Sequence, residues 1–119
     1  MDIEAFRTYC LSKKAVTEEL PFDENTLVFK VMNKMFALTD IELFESINLK
    51  CDPVRALELR EKYEEVHPGY HMNKKHWNTI VMDGSLPDTL IMDWIDHSYD
   101  LVVAGLSKAN KDEWDLIDE

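Results

Sequence analysis

The fold of this chain is decided by residues 68–80, whose sequence is PGYHMNKKHWNTI. The stretch gathers two histidines, two lysines, a tyrosine and a tryptophan without one acidic residue, although the chain of 119 residues carries a formal net charge of −11. Its opening Pro-Gly pair ends the segment before it. A strand over 70–72, a turn over 73–75 and a strand over 76–82 are predicted to follow. Any anion-facing surface of the protein is expected here.

Upstream of this hairpin, the apolar pattern predicts three more strands. Residues 27–31 alternate with the period of two that is typical of a strand, and a second run begins at residue 35. The Asn-Lys pair at 33–34 predicts a two-residue hairpin turn, because asparagine tolerates the positive φ that such turns require. A third strand is predicted over 43–50. Residues 13–23 are interpreted as a connector.

Helices are predicted on either side of these strands. Residues 2–12 place apolar side chains at helical spacing. Asp52 followed by a proline favours a second helix up to about residue 65, since aspartate caps the free amides of a first turn. A third helix is predicted from Pro87 to about Gly105. The acidic residues 107–119 are expected to form a partly ordered tail, docked by Trp114, Leu116 and Ile117.

Together these elements predict an α+β fold with two layers. Their order is α-β-β-β-α-β-β-α, in which an antiparallel sheet of five strands carries the helices. A length of 119 residues is near the commonest size of one domain, so residues 1–119 are expected to fold as a single domain. An apolar fraction of 45% is sufficient for a hydrophobic core.

Four separated motifs, in the right order, resemble the MmcQ/YjbR family. They are KVMNKMFAL at 30–38, INLKCDP at 47–53, PGYHMNKKHWNTI at 68–80 and SYDLVV at 98–103. The resemblance covers nearly the whole chain, and it implies a small α+β fold similar to the CyaY-like and secretion-chaperone-like domains. This chain departs from the family pattern at Asn33, where a glycine turn is usual, and in its acid-rich tail.

The resemblance also implies a function. Members of the family are commonly labelled DNA-binding, on the idea that paired hairpins enter a groove of the duplex, and no catalytic residue set is agreed for them. We therefore predict DNA binding through the hairpin around 70–82, with lysines on phosphates and rings on bases. The residues assigned to this nucleic-acid or anion site are Lys50, Tyr70, His71, Asn73, Lys74, Lys75, His76 and Trp77.

A purely structural interpretation of the same motif stays open. In it, Tyr70 and Trp77 belong to the core, the two histidines are hydrogen-bonded, and the lysines only solvate a turn. A net charge of −11 and only two lysines at the hairpin tip also predict that any DNA binding is weak and sensitive to salt. Whether Trp77 is exposed separates a stacking surface from a core.

An acidic helix face offers an alternative function. Asp93, Asp96 and Asp100 are predicted to lie opposite the apolar stripe of the third helix. Such a face favours an interaction module that binds a basic protein partner, in agreement with the overall charge. An acidic stripe of this kind also serves simply as the solvated face of a helix.

Catalytic, cofactor and metal chemistry lack a sequence signature. His67, His71 and His76 are separated by four and five residues with no cysteine or carboxylate between them, so we predict no metal site. The serines stand in no nucleophile-elbow context, and no glycine-rich phosphate loop is present. We therefore predict neither an enzyme nor a cofactor.

The remaining features concern the cellular context. The amino terminus has acids where a secretory signal needs positive charge, and no apolar run approaches the roughly 18 residues of a membrane span. Cys10 and Cys51 show no CxxC spacing and are expected to be buried, reduced thiols. We expect a cytoplasmic monomer that does not bind membranes.

Overall fold

The fold is an antiparallel sheet with helices on one face. A computed structural model describes residues 1–117. The helices are α1 (Ile3–Leu11), α2 (Pro53–Lys62), α3 (Asp88–Ala104) and α4 (Lys108–Leu116). The strands are β1 (Val16–Glu19), β2 (Thr26–Val31), β3 (Lys34–Asp40), β4 (Ser46–Lys50), β5 (Val66–Pro68) and β6 (Trp77–Val81).

The six strands pair in the order β1-β2-β3-β4-β6-β5, and all pairings are antiparallel. Because side chains alternate between the two faces of a strand, one row of pairing partners marks one face of the sheet. We call this the open face. The row that marks it runs through Glu19, Val28, Leu38, Asn48, Thr79 and His67.

The opposite face of the sheet carries the main core. Helix α1 contributes Phe6, which is fully buried, and Tyr99 of α3 meets Phe36 of β3 edge to face with ring centroids 5.4 Å apart. Ser98 is also fully buried. Its Oγ donates to the Phe36 carbonyl at 2.5 Å and accepts from the Lys50 amide at 2.9 Å. One hydroxyl therefore ties α3 to both β3 and β4.

The predicted α+β class and antiparallel sheet are confirmed, but the prediction of five strands is wrong by one. The additional strand, β1, lies inside residues 13–23, which were interpreted as a connector. It has only four residues, and two of them are glutamates, so its alternation is too short to indicate a strand. With β1 and α4 included, the element order becomes α-β-β-β-β-α-β-β-α-α.

A second correction concerns the hairpin that contains the decisive motif. Residues 70–72, predicted to be a strand, belong to a loop, and the strand before that loop is β5. His71 has a φ of 59°, which an extended strand does not adopt. Pro68 is tolerated in β5 because β5 is an edge strand, where a missing amide proton breaks no ladder.

The two-residue turn between β2 and β3 is confirmed, one residue earlier than predicted. Met32 and Asn33 have φ values of 48° and 66°, and Val31 pairs with Lys34 across the turn. Two successive positive φ values are the signature of a type I′ turn, whose twist matches that of the strands. The third predicted strand, over 43–50, is shorter and begins at residue 46.

Most of the acidic tail forms the helix α4. The Ser107 side chain caps its first turn by accepting an amide hydrogen bond at 3.2 Å. Trp114 docks the helix, since its indole Nε1 donates to Tyr99 Oη at 3.0 Å. Leu116 is exposed, so its predicted docking is wrong. The end of the predicted tail, residues 118–119, lies outside the described residues.

The predicted start of α2 is confirmed. Asp52 Oδ2 accepts hydrogen bonds from the amides of Val54 at 3.2 Å and Arg55 at 3.1 Å. The Asp52 amide in turn donates to Nε2 of His97 at 3.2 Å, which joins the start of α2 to the middle of α3. The helix ends at Lys62 rather than near residue 65.

We expect the stability of the protein to fall on mild acidification through His97. Burial, reinforced by the positive charge of Arg55, lowers the pKa of His97 below its ordinary value. The unfolded chain therefore takes up this proton more readily than the folded one. The stabilisation is present above the ordinary pKa of about 6.5 and is lost as the pH falls through the lowered folded pKa.

The measurement is the free energy of unfolding in urea between about pH 7.5 and about pH 5.5. The matched variant is His97→Gln, whose carbonyl oxygen can accept the same hydrogen bond but does not titrate. We expect a smaller loss of stability in the variant than in the wild type. Equal losses in both proteins would show that other groups cause the pH dependence.

Candidate functional site

Trp77 belongs to the core, which corrects its assignment as a stacking residue. Its side chain is 8% exposed and packs with Val28 and Leu38 in a small apolar cluster on the open face. Met72, from the segment between β5 and β6, packs against the same cluster. The ring therefore packs in this cluster and is almost wholly buried, which leaves little of it for stacking on a base.

The segment 69–76, which we call the 69–76 loop, lies close against the sheet because of Gly69. A Cβ atom added at Gly69 would lie 2.8 Å from Trp77 Cβ and 2.9 Å from the Trp77 carbonyl oxygen. The Gly69 amide donates to that same oxygen at 2.9 Å. Glycine is thus required here for close approach of two chain segments, since its φ does not lie in the left-handed region.

Arg60 of α2 fixes the far end of the same loop. Its Nε donates to Oδ1 of the buried Asn78 at 2.7 Å. Its Nη2 donates to the carbonyl oxygens of Lys74 and, at 3.2 Å, Trp77. A guanidinium group suits this position because its fork of donors is planar and rigid. Arg60 therefore joins α2, the 69–76 loop and β6.

Two residues assigned to the anion site are used inside the loop instead. The Lys74 ammonium Nζ folds back and donates to the Gly69 carbonyl at 3.0 Å. Asn73 Oδ1 accepts from the Lys75 amide at 2.9 Å, which is the hydrogen bond of an Asx turn. These contacts give Lys74 and Asn73 a structural role within the loop, and both residues are also exposed.

Five of the assigned residues are exposed, namely Tyr70, His71, Asn73, Lys74 and Lys75. Tyr70 is 69% exposed, and its ring lies against the ring of His71 with centroids 4.1 Å apart. His76 is only partly buried, but its backbone carbonyl accepts from the Cys51 amide at 2.8 Å and so continues the pairing of β6 with β4.

An open groove lies beside Tyr70 and His71. Its volume is about 490 Å³, and it opens between the 69–76 loop and the segment that precedes β2. Phe22, which is 65% exposed, stands on the wall opposite Tyr70, and Leu38 and Asn48 of the open face form the floor. We call it the open-face groove.

The wall and the floor of the open-face groove are linked by hydrogen bonds. The Tyr70 amide donates to Thr79 Oγ1 at 2.8 Å, and that hydroxyl donates to Asn48 Oδ1 at 2.5 Å. Because Tyr70 is attached through its backbone, its ring remains free to contact a ligand. The groove is therefore held in place before any ligand binds.

Two carboxylates stand at one end of the open-face groove. Asp23 Oδ1 accepts from the Asn25 and Thr26 amides at 2.8 and 2.7 Å, and these bonds hold the pKa of Asp23 below its ordinary value. Thr26 pairs with Asp40, so the two carboxylates flank the same strand end. Both also line the groove.

Lys50 is not part of the open-face groove. It pairs with Trp77 across β4 and β6 and lines a separate depression of about 260 Å³ beside Lys34 and the carboxyl end of α3. The last turn of α3 has no basic residue of its own. Cations near the carboxyl end of a helix interact favourably with its dipole, and Lys34 and Lys50 supply positive charge beside this one. The structure thus separates Lys50 from Tyr70 and His71.

The three aspartates of the acidic face predicted on α3 differ in their surroundings. Asp93 and Asp100 are exposed. Asp96, by contrast, accepts from Tyr9 Oη at 2.5 Å and pairs with Lys13 Nζ at 2.5 Å, which ties α3 to α1 and the segment after it. Burial, together with Asp96, raises the pKa of Tyr9 to about 12. Asp96 is therefore a structural residue, which corrects its place in the predicted partner face.

The thiols and histidines add no reactive centre to the described part of the chain. Cys10 and Cys51 are buried and free, as predicted, and burial raises the pKa of Cys51 to about 11. Within residues 1–117, no three His, Cys, Asp or Glu side chains are grouped so that they could hold a metal ion. Among the described helices, none is long and apolar enough to cross a membrane.

Comparison with known proteins identifies the family. A family model described as YjbR matches residues 11–101. The chain belongs to the YjbR family. The uncharacterized protein YjbR of Escherichia coli K12 is 35% identical over 104 residues, which is 87% of this chain and 88% of that protein. The uncharacterized protein YbdF of Escherichia coli O157:H7 is 39% identical over 92 residues, or 76% and 75% of the two chains. The family resemblance of the sequence motifs is thus confirmed.

Two solved structures share this fold. The crystal structure of Deinococcus radiodurans protein DR2400 is similar to the chain with a TM-score of 0.88 and 40% identity, covering 98% of this chain and 90% of that one. The crystal structure of a protein from Pseudomonas syringae is similar to the chain with a TM-score of 0.73 and 29% identity. The similarity covers 85% of this chain and 98% of that one.

Several residues that shape the site of this YjbR-family chain were not singled out from the sequence. Phe22, Asp23 and Asp40 come from loops and strand ends far from the 69–76 loop, and only the pairing of the strands brings them together. Arg60 of α2 was not assigned to the site either. The sequence did contain a signal for its structural role, because an arginine on the partly buried side of a helix needs hydrogen-bond acceptors.

We expect Arg60→Met to loosen the 69–76 loop and to lower the free energy of unfolding by about 1.5 kcal/mol. The variant keeps an apolar stem but leaves Asn78 Oδ1 and two backbone carbonyls without their charged donor. Urea unfolding and hydrogen exchange of the loop amides measure the effect. The control is Arg55→Met on the same helix, which should leave the loop amides unchanged.

Proposed function

We propose that this YjbR-family protein is a small, monomeric, cytoplasmic interaction module without catalytic activity, and that it binds a protein partner in the open-face groove. The observation that carries the proposal is a pair of exposed aromatic side chains, Phe22 and Tyr70, on opposite walls of one groove. Exposed aromatic side chains are enriched at protein interfaces, where they bury a large area and dominate the binding energy.

The shape of the open-face groove supports the proposal. Its volume of about 490 Å³ accommodates one or two side chains of a partner. The floor combines the apolar Leu38 with the amide of Asn48, whose Oδ1 is held by Thr79. The Asn48 Nδ2 group is left to donate to a backbone carbonyl of the partner. A mixed apolar and polar lining of this kind fixes the orientation of what it binds.

Site-specific photo-crosslinking tests the proposal. A benzoylphenylalanine in place of Tyr70 should capture a protein in an extract of the source cells, and adding Phe22→Ser should abolish the adduct. The control places the same group at Leu57, an exposed apolar residue on α2 outside the groove. Identical adducts from positions 70 and 57, or adducts that survive Phe22→Ser, would contradict the proposal.

Nucleic-acid binding by the 69–76 loop is a second candidate function. The observation that favours it is the exposure of the adjacent Tyr70 and His71 rings near the exposed Lys75. Bases of a single strand stack on such rings without regard to sequence. The structure offers less support for this candidate function than the sequence did, because Trp77 is buried and the Lys74 ammonium donates within the loop.

If a single strand binds, we expect a shallow dependence on salt. One free lysine neutralises about one phosphate, which gives a slope of about −0.7 in log affinity against log salt concentration. Fluorescence anisotropy of a labelled single-stranded oligonucleotide measures that slope. Lys75→Glu should abolish binding, whereas the same charge reversal at the exposed Lys108 should not. Equal effects of the two reversals would remove the 69–76 loop as the nucleic-acid site.

The acidic face of α3 is the least supported of the three surfaces. Only Asp93 and Asp100 remain exposed, since Asp96 is bound to Tyr9 and Lys13. The two exposed carboxylates serve best as the solvated side of α3. They also provide matched control positions for tests of the acids in the open-face groove.

A further inference from the structure

We infer that the open-face groove receives an arginine side chain from a basic segment of the partner protein. This inference rests on the proposed function and names the chemistry of its ligand. The acidic residues Asp23 and Asp40 line the groove, and no lysine or arginine of residues 1–117 does. The chain as a whole carries a formal net charge of −11, which draws a basic partner toward it.

The two carboxylates are placed to meet a cation. Asp40 Oδ1 accepts from the Glu42 and Leu43 amides at 2.9 and 3.0 Å. Its Oδ2 has no hydrogen-bond partner within residues 1–117, and Asp40 lines the groove. Thr26 connects the two carboxylates, because its hydroxyl donates to Asp23 Oδ2 and the residue pairs with Asp40 across β2 and β3. A guanidinium group that enters this end meets a carboxylate whose second oxygen is free.

The aromatic walls provide the second half of the site. The exposed rings of Phe22 and Tyr70 both line the groove, and the Tyr70 amide is hydrogen-bonded to Thr79. A cation over an aromatic face is attracted by the quadrupole of the ring. A guanidinium group is planar, so it can stack on a ring while its N–H groups donate to a carboxylate, whereas an ammonium group is a compact point charge that does not stack. The geometry therefore favours arginine over lysine.

The test uses the full chain and three labelled peptides of equal length, oligoarginine, oligolysine and oligocitrulline. Citrulline keeps the shape of arginine without its charge. We expect oligoarginine to bind most tightly and to shift the amide resonances of the groove in nuclear magnetic resonance spectra. We expect Tyr70→Ala to weaken binding by about tenfold, as loss of one partly desolvated cation–π contact requires.

Variants that remove the same charge at different places distinguish a local effect of the groove from the long-range electrostatic field of the whole protein. Asp40→Asn keeps an oxygen that can accept the Glu42 and Leu43 amides, so the turn is preserved while the charge is lost. Asp93→Asn removes the same charge from exposed α3. We expect Asp40→Asn to weaken oligoarginine binding at least severalfold and Asp93→Asn to leave it nearly unchanged.

Three results would overturn the inference: equal binding of oligocitrulline, equal binding of oligolysine, or equal effects of Asp40→Asn and Asp93→Asn. None of them would remove the groove as a binding site, because the crosslinking test above does not depend on the charge of the partner. Conversely, a groove that gives no crosslinks yet binds oligoarginine with the expected variant effects would overturn the proposed function and leave the recognition of arginine standing.

Discussion

Trp77→Ala should cost the protein about 3–5 kcal/mol of its free energy of unfolding. The indole is 8% exposed and joins the strand residues Val28 and Leu38 to Met72 of the 69–76 loop. Removing it leaves a cavity between sheet and loop, and the loop loses the surface on which it lies. Such a loss is a large fraction of the total stability of a small domain. Chemical denaturation in urea measures it directly.

The control for this prediction is Tyr70→Ala in the same motif. Tyr70 is 69% exposed, and its amide, which bonds to Thr79, is unaffected by the change. We expect Tyr70→Ala to change the free energy of unfolding by no more than about 0.5 kcal/mol. The opposite ranking, with Tyr70 costly and Trp77 neutral, would show that Trp77 is a surface ring after all and would return the motif to the stacking interpretation.

Gly69→Ala should destabilise the protein by about 3 kcal/mol, at the upper end of what overpacking costs. The new methyl group would lie 2.8 Å from Trp77 Cβ and 2.9 Å from the Trp77 carbonyl oxygen. Neither neighbour is the movable end of a flexible side chain, so the loop itself must shift. That shift stretches the 2.9 Å hydrogen bond from the Gly69 amide to the same carbonyl.

A matched control is available in Gly105→Ala. Gly105 has a φ of −89°, and an added Cβ would lie no closer than 3.5 Å to its nearest neighbour, the Leu101 carbonyl. The unfolded chain loses freedom in both variants, which by itself stabilises by about 0.4–1 kcal/mol. We therefore expect Gly105→Ala to be neutral or stabilising. A loss as large as that of Gly69→Ala would mean that crowding at Trp77 is not the cause.

The sequence was sufficient for the parts of the fold that depend on local signals. The cap at Asp52, the apolar stripe of α3 and the turn at Asn33 are all encoded by neighbouring residues, and each element was found within a few positions. Strand β1 was not predicted, because its four residues are too few to show the alternation of apolar and polar side chains that is typical of a strand. The loop at 70–72 was mistaken for a strand because its φ at His71 is set by tertiary contacts.

The candidate site was less predictable than the fold. The motif at 68–80 contributes Tyr70 and His71 to the groove, but its basic residues suggested an anion, and the Lys74 ammonium donates to the Gly69 carbonyl within the loop. The groove needs Phe22 and Asp40, which lie far from Tyr70 along the chain and meet it only through the pairing of β2, β3 and β4. Tertiary pairing of this kind leaves no signature in a single sequence.

The way in which the 69–76 loop is anchored bears on how its surface can change over time. Its ties to the rest of the molecule are made mainly by backbone atoms, at the Gly69 amide, the Tyr70 amide and the Lys74 carbonyl. The outward side chains at 70, 71 and 75 contribute little to that framework. New residues at these positions can therefore change the surface of the groove while the scaffold persists, so one architecture can present different surfaces at this loop.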